Sequence, residues 1–500
     1  MMKKSRWFKG IALAAAAVMF AGMAGGCGTK GVTTTSMEDP NTVPETPYEI
    51  NWYICANQQS DVATVENEIN AYLKDKINAT IKLNIMESAQ YSDKMTNMLQ
   101  AGEYFDLCYT ANWMLNYAVS AETGAFYPMD ELFEKYMPKT YELADHDSLE
   151  GARVKGKIYA LPTIKENATA YGWIYRKDIA DKYHIDMSQV KTYADLLPIA
   201  KMIKENEPDM TYPIDWGENM SLGGTLPYVS VMTGCNLGYV QGDDTFKIVN
   251  RLEQPEAMEQ FKMANTYYKE ELIKRDIMTN NSDADRIKGL QNGKTFCMMY
   301  PLKPGKVQEL IKNPKYDFAQ AYIEKPQAAL GLASMNAISA TSKNPARVAR
   351  FLELVNTDPV LNNLLVFGVE GKHYEKVSDN VIRLIPNSGY CLSDAKWMLA
   401  NVFIGYCTED EDPNVKKELQ EFDKEAERSK LMSFVFDTTN VQAEIAACSV
   451  VEAQYNKQVS LGALDPEPIV KQYLTELKAA GVDKIQEELQ KQVDEYLANK

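Results

Sequence analysis

The sequence predicts an α/β fold, because segments typical of strands and helices alternate from the start of its folded part. Residues 48–54 alternate apolar and polar side chains, as a half-buried strand does, and a helix-like segment follows at residues 61–77. A second strand at residues 80–86, a second helix at 91–101 and a third strand at 105–109 continue the series. Strands that are separated by helices usually pair in parallel, so these segments predict the first half of a doubly wound sheet.

Length and composition predict a water-soluble protein of several domains. A chain of 500 residues exceeds a single core and corresponds to roughly two to four domains of ordinary size. Hydrophobic residues at 45% and charged residues at 24% are close to the average of soluble globular proteins, which argues against wholesale disorder and a multispanning membrane protein. The net charge of −16 repels phosphate backbones, so we expect no nucleic acid as a partner.

The first residues have the layout of an export signal. Four basic residues within the first nine precede an apolar run at residues 11–23, which is too short to span a membrane comfortably. The segment Ala24-Gly25-Gly26-Cys27 resembles a bacterial lipobox, although Ala24 stands where a leucine is usual. We predict a signal peptide at residues 1–26, lipidation of Cys27 and a flexible tether over residues 27–47. Ordinary cleavage, with Cys27 uninvolved, is the alternative.

Cysteine spacing favours neither a disulfide framework nor a zinc site. Seven cysteines follow Cys27, an odd number at wide and irregular intervals, and none form a Cys-x-x-Cys pair. We expect most of them to be buried free thiols, because several stand in apolar strand-like runs such as residues 107–109. The seven are Cys55, Cys108, Cys235, Cys297, Cys391, Cys407 and Cys448.

The sequence offers no recognisable motif for catalysis, a cofactor or a metal. It has three histidines, and neither a Gly-x-Ser-x-Gly elbow nor a His-Glu-x-x-His pair occurs. Residues 289–295 end in Gly-Lys-Thr like a phosphate-binding loop, but their glycines are too closely spaced and polar residues precede them where a buried strand is required. The acidic runs at residues 280–285 and 409–413 lack the spacing of a calcium loop, and we interpret them as solvated turns. We therefore predict no catalytic residue, no metal site and no cofactor.

Several segments, in their order along the chain, carry a resemblance to a known family. The first three are Gly-Lys-Ile-Tyr-Ala-Leu-Pro at residues 156–162, Tyr-Arg-Lys-Asp at 175–178 and Thr-Tyr-Ala-Asp at 192–195. A glycine-lysine turn at residues 289–300 and a strand-helix pair at 329–355 follow them. Over about residues 48–375 this succession resembles extracellular solute-binding proteins of family 1, the carbohydrate-type substrate-binding lipoproteins of ABC transporters.

The C-terminal part is similar to one branch of that family. Its segments are residues 367–374, 397–403 and 434–437 and the paired helices predicted at 467–480 and 483–498. They are similar to LipO-like or LplA-like lipoproteins, which carry an extra C-terminal domain.

The resemblance implies a periplasmic-binding-protein-like fold of type II, with two α/β lobes joined by crossing strands and a mainly helical C-terminal extension. Lobe one would comprise residues 46–164 and 326–372, and lobe two residues 165–325 and 373–500, including the extension from about residue 380. The resemblance also implies a lipid-anchored monomer on the extracytoplasmic face of a bacterial membrane. Such a protein closes by a hinge on a small solute, here an oligosaccharide, and delivers it to ABC permease subunits; no enzyme activity is expected.

Candidate ligand-binding residues are aromatic and short polar side chains near the ends of predicted strands. Aromatic rings stack on the C–H faces of sugars while amides and carboxylates bind hydroxyls, and the chain has six tryptophans and 29 tyrosines. Trp52, within the first strand, is expected in the core. The predicted ligand-binding set is Asn112, Trp113, Tyr117, Trp173, Asp215, Trp216, Tyr300, Asn336 and Glu370, the last because flanking glycines let a ligand approach the backbone closely.

Three alternatives stay open at this stage. The ligand of the same fold could be a peptide or another small solute. The chain could instead be a surface lipoprotein enzyme that acts on polysaccharide, or a lipoprotein that binds a protein partner through its C-terminal domain.

Overall fold

The computed structural model describes residues 38–217, 228–232, 235–280, 282–311, 314–328 and 334–500. Within it, Pro40–Lys500 form one compact unit. The predicted signal peptide, Cys27 and most of the predicted tether lie outside the described residues.

The first part of the chain builds a parallel sheet with helices around it. Its elements are β1 (Tyr48–Cys55), α1 (Val62–Ile77), β2 (Ala79–Met86), α2 (Ser88–Ala101), β3 (Leu107–Thr110), α3 (Tyr117–Glu122), α4 (Asp130–Tyr136), α5 (Pro138–Leu143), α6 (His146–Gly151), β4 (Arg153–Val154), β5 (Lys157–Ile158) and β6 (Leu161–Pro162).

The middle part builds a second sheet, of mixed direction, and a small third one. Its elements are β7 (Ala168–Arg176), α7 (Lys177–Lys182), α8 (Tyr193–Asn206), β8 (Ile214–Asp215), β9 (Tyr228–Met232), β10 (Leu237–Val240), β11 (Val249–Asn250), α9 (Pro255–Lys269), α10 (Asp283–Gln291), β12 (Cys297–Leu302), α11 (Lys306–Leu310), β13 (Phe318–Tyr322) and β14 (Gln327–Ala328).

The last part returns to the first sheet, crosses again and ends in helices. Its elements are β15 (Met335–Ile338), α12 (Pro345–Thr357), α13 (Pro359–Phe367), β16 (Tyr374–Lys376), β17 (Val381–Leu384), α14 (Lys396–Leu399), β18 (Cys407–Thr408), α15 (Val415–Glu425), α16 (Gln442–Ser460), α17 (Pro466–Ala480) and α18 (Val482–Ala498).

Lobe one is the unit built on the sheet β2-β1-β3-β15-β6, in which β1 pairs in parallel with both β2 and β3. The predicted strand and helix succession is confirmed here, and Trp52 is buried in its core. Helix α1 buries Val65, Ile69, Leu73 and Ile77, a spacing of four residues that places one stripe on the sheet. It ends at Asn78, whose φ of 45° gives the left-handed C-cap that stops a helix.

Lobe two is the unit built on the sheet β13-β7-β12-β8, whose long central strand β7 pairs antiparallel with β12 and β13. Helix α8, predicted from the Thr-x-x-Asp start, begins with a capping box. The Thr192 hydroxyl accepts a hydrogen bond from the Asp195 N–H at 3.1 Å, and the Asp195 carboxylate accepts one from the Thr192 N–H at 2.9 Å. These two bonds satisfy backbone groups that a free helix start leaves unpaired.

Three segments cross between the lobes and are hydrogen-bonded to one another. The Thr163 N–H donates to the Ser334 carbonyl at 3.0 Å, and the Val402 N–H donates to the Ile164 carbonyl at 3.0 Å. The Asp423 carboxylate in α15 accepts from the N–H groups of Asn167 and Ala168, each at 2.7 Å. These contacts define a hinge region through which the chain passes three times.

The C-terminal helices α16, α17 and α18 share one core with the sheet β11-β10-β9 and with α9. Leu461, at the end of α16, is also buried in the core of lobe two, and the Asn265 side chain of α9 donates to the carbonyls of Gly462 and Leu464. We call residues 430–498 the C-terminal domain; it packs on lobe two.

One predicted assignment differs from the packing. The sequence placed residues 373–500 with lobe two, but Tyr390, Leu392, Met398 and Leu399 are buried in the core of lobe one. The Leu392 N–H donates to the Val366 carbonyl of α13, which holds this loop on lobe one. The chain therefore leaves lobe one for the last time after α14, about thirty residues later than the sequence suggested.

Candidate functional site

The loop that follows β3 has an unusual backbone. Leu115 and Asn116 both have positive φ angles, 60° and 29°, and a bulky residue such as leucine rarely adopts this conformation. The Ala111 N–H donates to the Met114 carbonyl at 2.8 Å, which holds residues 112 and 113 at the tip of a tight turn. Strained backbone is retained where the surrounding structure imposes it, and it occurs often at functional sites. Asn112 and Trp113 are the exposed side chains of this tip.

Trp113 belongs to a group of three aromatic rings on lobe one. Its ring centroid lies 6.0 Å from that of Tyr109 and 6.2 Å from that of Trp397, and the Trp397 ring lies 6.3 Å from Tyr109. Tyr109 is buried, Trp397 is half-buried and Trp113 is 59% exposed. An indole held in place at its base and open to solvent over most of its surface is suited to cover an apolar ligand face.

Trp397 also lines a cavity of about 1010 Å³ between the lobes. Lobe one contributes residues of the segment 384–397, lobe two contributes residues 303–310 before and within α11, and the crossing segments contribute Lys165, Glu166 and residues 402–419. A cavity of this volume, built where two lobes meet, has the size and place of a small-molecule site.

Several of the charged side chains that line this cavity form ion pairs with one another. Lys303 lies 2.8 Å from Glu166 and 3.1 Å from Glu309, and Lys396 lies 3.0 Å from Glu411. Burial alone would raise the pKa of each of these three carboxyls, but the neighbouring lysines outweigh it and the net pKa lies below the ordinary value. These three carboxyls are therefore ionised, and each is neutralised by a neighbouring lysine while it can still accept hydrogen bonds.

Lys416, like Lys165, makes its described hydrogen bonds to backbone carbonyls rather than to carboxylates. Burial lowers the pKa of its ammonium group to about 8, and it donates to the Gly405 and Tyr406 carbonyls. It lies in the cavity wall beside the acidic run of residues 409–412, whose carboxylates bind Arg383, Lys396 and Thr408. The acidic run is thus held by local protein contacts.

Asn336, one of the predicted residues, supports the aromatic group from beneath. It is buried, and its amide donates to the carbonyls of Met398 and Leu399 at 3.0 and 3.2 Å. The Ser334 hydroxyl donates to the Trp397 carbonyl at 3.1 Å. These bonds fix α14, and with it the position of the Trp397 ring.

Three predicted aromatic residues are buried away from this site. Tyr117 lies in the core of lobe one, where its hydroxyl donates to the Ala152 carbonyl and its ring stacks on Phe126. Trp173 and Trp216 are 0% and 1% exposed in the core of lobe two, where both contact Tyr193 edge to face. The Trp173 indole donates to the Val190 carbonyl at 2.8 Å.

The other predicted residues are also apart from Trp113. Asp215 is fully buried, 3.0 Å from Lys274, and burial raises the pKa of its carboxyl to about 6. The half-buried Tyr300 donates to Asp283 at 3.1 Å, and the exposed Glu370 pairs with Lys376 at 3.2 Å. The structure thus places Asn112, Trp113 and Asn336 around one site on lobe one. Tyr300 lies beside the cavity, with its ring centroid 5.6 Å from the Lys306 ammonium that lines it, and the other five lie elsewhere.

Trp397, Glu166, Lys303 and Glu309 were missed by the sequence reasoning. Trp397 was the only one with a signal, since it is one of six tryptophans, but no predicted strand ends before it. Lys303 and Glu309 both belong to lobe two, and Glu166 reaches Lys303 from a crossing segment, so their proximity depends on tertiary structure.

The cysteines, the possible metal ligands and the longest helices bear on the remaining expectations from the sequence. The seven cysteines after Cys27 are free, and all but Cys391 are buried. Within the described ranges, no three histidine, cysteine, aspartate or glutamate side chains are grouped so that they could hold a metal ion. None of the helices in the same ranges is both long and apolar enough to cross a membrane.

Comparisons with known proteins assign both the fold and the C-terminal domain. The model of the family described as bacterial extracellular solute-binding protein matches residues 68–366, and a domain of unknown function (DUF3502) matches residues 430–498. A carbohydrate ABC transporter substrate-binding protein of Streptococcus pneumoniae is 28% identical over 99% of both chains.

Solved structures give the same assignment. The N-glycan transport solute-binding protein NgtS of Streptococcus pneumoniae is matched with a TM-score of 0.80 at 27% identity, over 91% of this chain and 100% of that one. Its complexes with Man1GlcNAc and Man5GlcNAc are matched with TM-scores of 0.70 and 0.66, at 26% and 27% identity. They cover 90% and 91% of this chain, and 100% and 99% of those. The predicted type II fold is confirmed by these matches.

Proposed function

This chain belongs to the bacterial extracellular solute-binding proteins, and from that premise we propose that it captures an oligosaccharide for an ABC importer. The observation that carries the proposal is the exposed ring of Trp113 beside Trp397, which also lines the interlobe cavity. Two indoles held 6.2 Å apart at 33° form a ledge on which the C–H face of a sugar ring can rest.

The electrostatics of the cavity support a neutral, hydroxyl-rich ligand. Lys303, Glu166, Glu309, Lys396 and Glu411 are paired within the wall, so a ligand with a net charge would disrupt pairs that are already made. Hydroxyl groups can donate to these carboxylates and accept from these ammonium groups without breaking them. We propose that Trp113 and Trp397 stack on the sugar, that Asn112 binds a hydroxyl at the same tip, and that Glu166 and Lys303 bind hydroxyls from the hinge side.

The relatives support the same ligand class. One is described as a carbohydrate ABC transporter substrate-binding protein, and NgtS has been solved with mannose- and N-acetylglucosamine-containing glycans. The TM-score is higher for the NgtS structure described without a glycan than for either of its two glycan complexes. This order is expected if the lobes of NgtS change their relative orientation on binding and the chain described here has the open arrangement.

A thermal-shift screen tests the proposal. Residues 40–500 are heated with monosaccharides, neutral oligosaccharides, uronates, amino acids and short peptides. A ligand that binds only the folded state stabilises it by about 2.7 kcal/mol at a hundredfold excess over its dissociation constant. We expect a raised melting temperature with neutral oligosaccharides. A shift with peptides alone would contradict the sugar assignment, and no shift with any solute would favour a protein partner instead.

We also propose that the protein is anchored through a lipid on Cys27. The basic start, the apolar run and the small residues before Cys27 support this, and so does the extracellular character of the family. Expression of the full chain and its Cys27→Ser variant in a bacterium tests it. We expect the full chain in the membrane fraction with the mass of a diacylglyceryl modification, and the variant without this modification. An unmodified Cys27 in the exported full chain would contradict the anchor.

A further inference from the structure

Arg428 connects lobe two to lobe one outside the proposed ligand site. Its guanidinium lies 2.8 Å from Asp145 and 2.9 Å from Asp147, two residues at the start of α6 in lobe one. The Ser433 hydroxyl donates to the Asp147 carbonyl at 3.0 Å. These contacts join α6 to the segment that leads into the C-terminal domain.

Both ends of this connection are firmly held in their own lobe. On the lobe-two side, the N–H of Glu427 donates to the Pro326 carbonyl, the Ser429 hydroxyl accepts from Tyr239, and Leu431 is buried in the core of the C-terminal domain. On the lobe-one side, Leu149 of α6 is buried in the core of that lobe. The pairs therefore join two rigid bodies rather than two mobile loops.

The contact around Arg428 is narrow. Beside it lies an open groove of about 740 Å³ between α6 and the C-terminal domain, lined on one side by Asp147 and Glu150 and on the other by Phe434, Gln492 and Tyr496 of the C-terminal domain. Beside this open groove, the Arg428 ion pairs and the Ser433 hydrogen bond link the two lobes directly.

Helix α15 separates this contact from the ligand cavity. Val415, Lys416 and Leu419 near its start line the cavity, whereas Asp423 near its end binds the crossing strand and Arg428 follows three residues after the helix. Along the axis of α15, the hinge contact at Asp423 therefore comes between the residues that line the cavity and Arg428. A rotation about this hinge that narrows the cavity must move Arg428 away from α6.

We propose that the Arg428 pairs with Asp145 and Asp147 hold the two lobes in the open arrangement, and that ligand-driven closure breaks them. By favouring the open arrangement, these pairs lower the affinity of the protein for its solute. The better match to NgtS without a named glycan supports an open arrangement of this chain. The effect on affinity rests on the proposed function, whereas the effect on lobe orientation does not.

Small-angle scattering of residues 40–500 without ligand tests the proposal. The variants are Arg428→Ala and Asp147→Asn, the second of which keeps the Asp145 cap of α6. The control is Arg153→Ala, which removes an arginine of similar exposure that pairs with Glu150 and Asp130 within lobe one. We expect a smaller radius of gyration for both variants and the wild-type value for the control. A wild-type radius for Arg428→Ala, with an unchanged circular dichroism spectrum, would overturn the proposal.

Affinity gives a second readout once a solute is known. Removal of a partly exposed ion pair that favours the open state is expected to tighten binding about twofold to fivefold. Equal or weaker binding by Arg428→Ala would contradict the claim that the Arg428 pairs favour the open arrangement and lower the affinity. If wild type binds no oligosaccharide, the proposed function fails and the scattering comparison still decides whether Arg428 holds the lobes open.

Discussion

At the residue scale, Trp113 is the residue best placed to bind a ligand, because two neighbouring rings contact it and most of its surface is open to solvent. Tyr109 and Trp397 hold it from below and from the side, and the backbone at Leu115 and Asn116 forces the turn that presents it. The exposed part of the indole is therefore available for binding.

Trp113→Ala is expected to weaken oligosaccharide binding about tenfold, or ~1.4 kcal/mol, because the stacking surface for one sugar ring is removed. The free energy of unfolding should fall by about 1 to 2 kcal/mol, since the contacts with the rings of Tyr109 and Trp397 are lost while the side chain is otherwise 59% exposed. Tyr141→Ala, an exposed aromatic residue on α5, is the matched control and should bind as wild type does. Calorimetric titration measures both affinities, and equal affinities of wild type and Trp113→Ala would exclude Trp113 from the site.

The buried pair of Asp215 and Lys274 has a structural role that can be tested separately. Lys274→Met leaves the Asp215 carboxylate, whose side chain is fully buried, without its ammonium partner. We expect a loss of about 3 to 5 kcal/mol in the free energy of unfolding at pH 7, measured with urea. A double variant, Asp215→Leu with Lys274→Met, should recover most of this loss, and a single variant as stable as wild type would show that the pair is not needed.

The same carboxyl predicts a pH dependence. Burial raises the pKa of Asp215 to about 6 from an ordinary value of 3.8, so between these values the folded state keeps a proton that the unfolded chain releases. The contribution of this group to stability is therefore complete below about pH 4 and decreases as the pH rises to about 6. Unfolding free energies of wild type and the double variant across this range measure it as their difference, and a difference independent of pH would contradict it.

The residue scale also shows where sequence reasoning stops. Trp113 and Trp173 both follow or form predicted strands, and their sequence surroundings are equally apolar. The structure exposes the first at a strained turn and buries the second against Tyr193. That difference depends on helices packed from distant parts of the chain, which single-sequence patterns do not contain.

At the element scale, individual helices were predictable because each is specified by its own periodicity. Helix α1, predicted at residues 61–77, spans Val62–Ile77, and α17, predicted at 467–480, spans Pro466–Ala480. The segment around α14 was assigned to the wrong lobe, because its partners, α13 and β15, are fixed by tertiary contacts. The periodicity of a helix or strand shows which of its faces is buried. It does not show which other part of the protein covers that face.

The C-terminal helices are expected to form one cooperative unit with lobe two. Leu489 of α18 is fully buried in a core that includes Leu237 and Tyr239 of β10. Leu489→Ala should cost about 2 to 5 kcal/mol and should increase amide hydrogen exchange in β10 as well as in α18. Lys491→Ala, on the exposed face of the same helix, is the control. Unchanged exchange in β10 would mean that the C-terminal domain folds independently of lobe two.

At the scale of the whole molecule, the protein is two lobes with a charged cavity on one side of the hinge and an ion-paired contact on the other. A solute that contacts both walls of the cavity favours the closed arrangement, and only differential affinity for that arrangement can drive the change. The overall two-lobed fold could be predicted from the order of segments over residues 48–375, and family and structure matches confirm it. The charged residues of the cavity could not be predicted from the sequence, because the crossing segments bring them together.

Scattering with and without an oligosaccharide tests the central claim most directly. The wild-type unit, residues 40–500, is measured alone, with a saturating neutral oligosaccharide that raises its melting temperature, and with a short peptide at the same concentration. The account predicts that the radius of gyration decreases with the oligosaccharide and stays constant with the peptide. A radius that no oligosaccharide changes would contradict a protein that closes on a sugar.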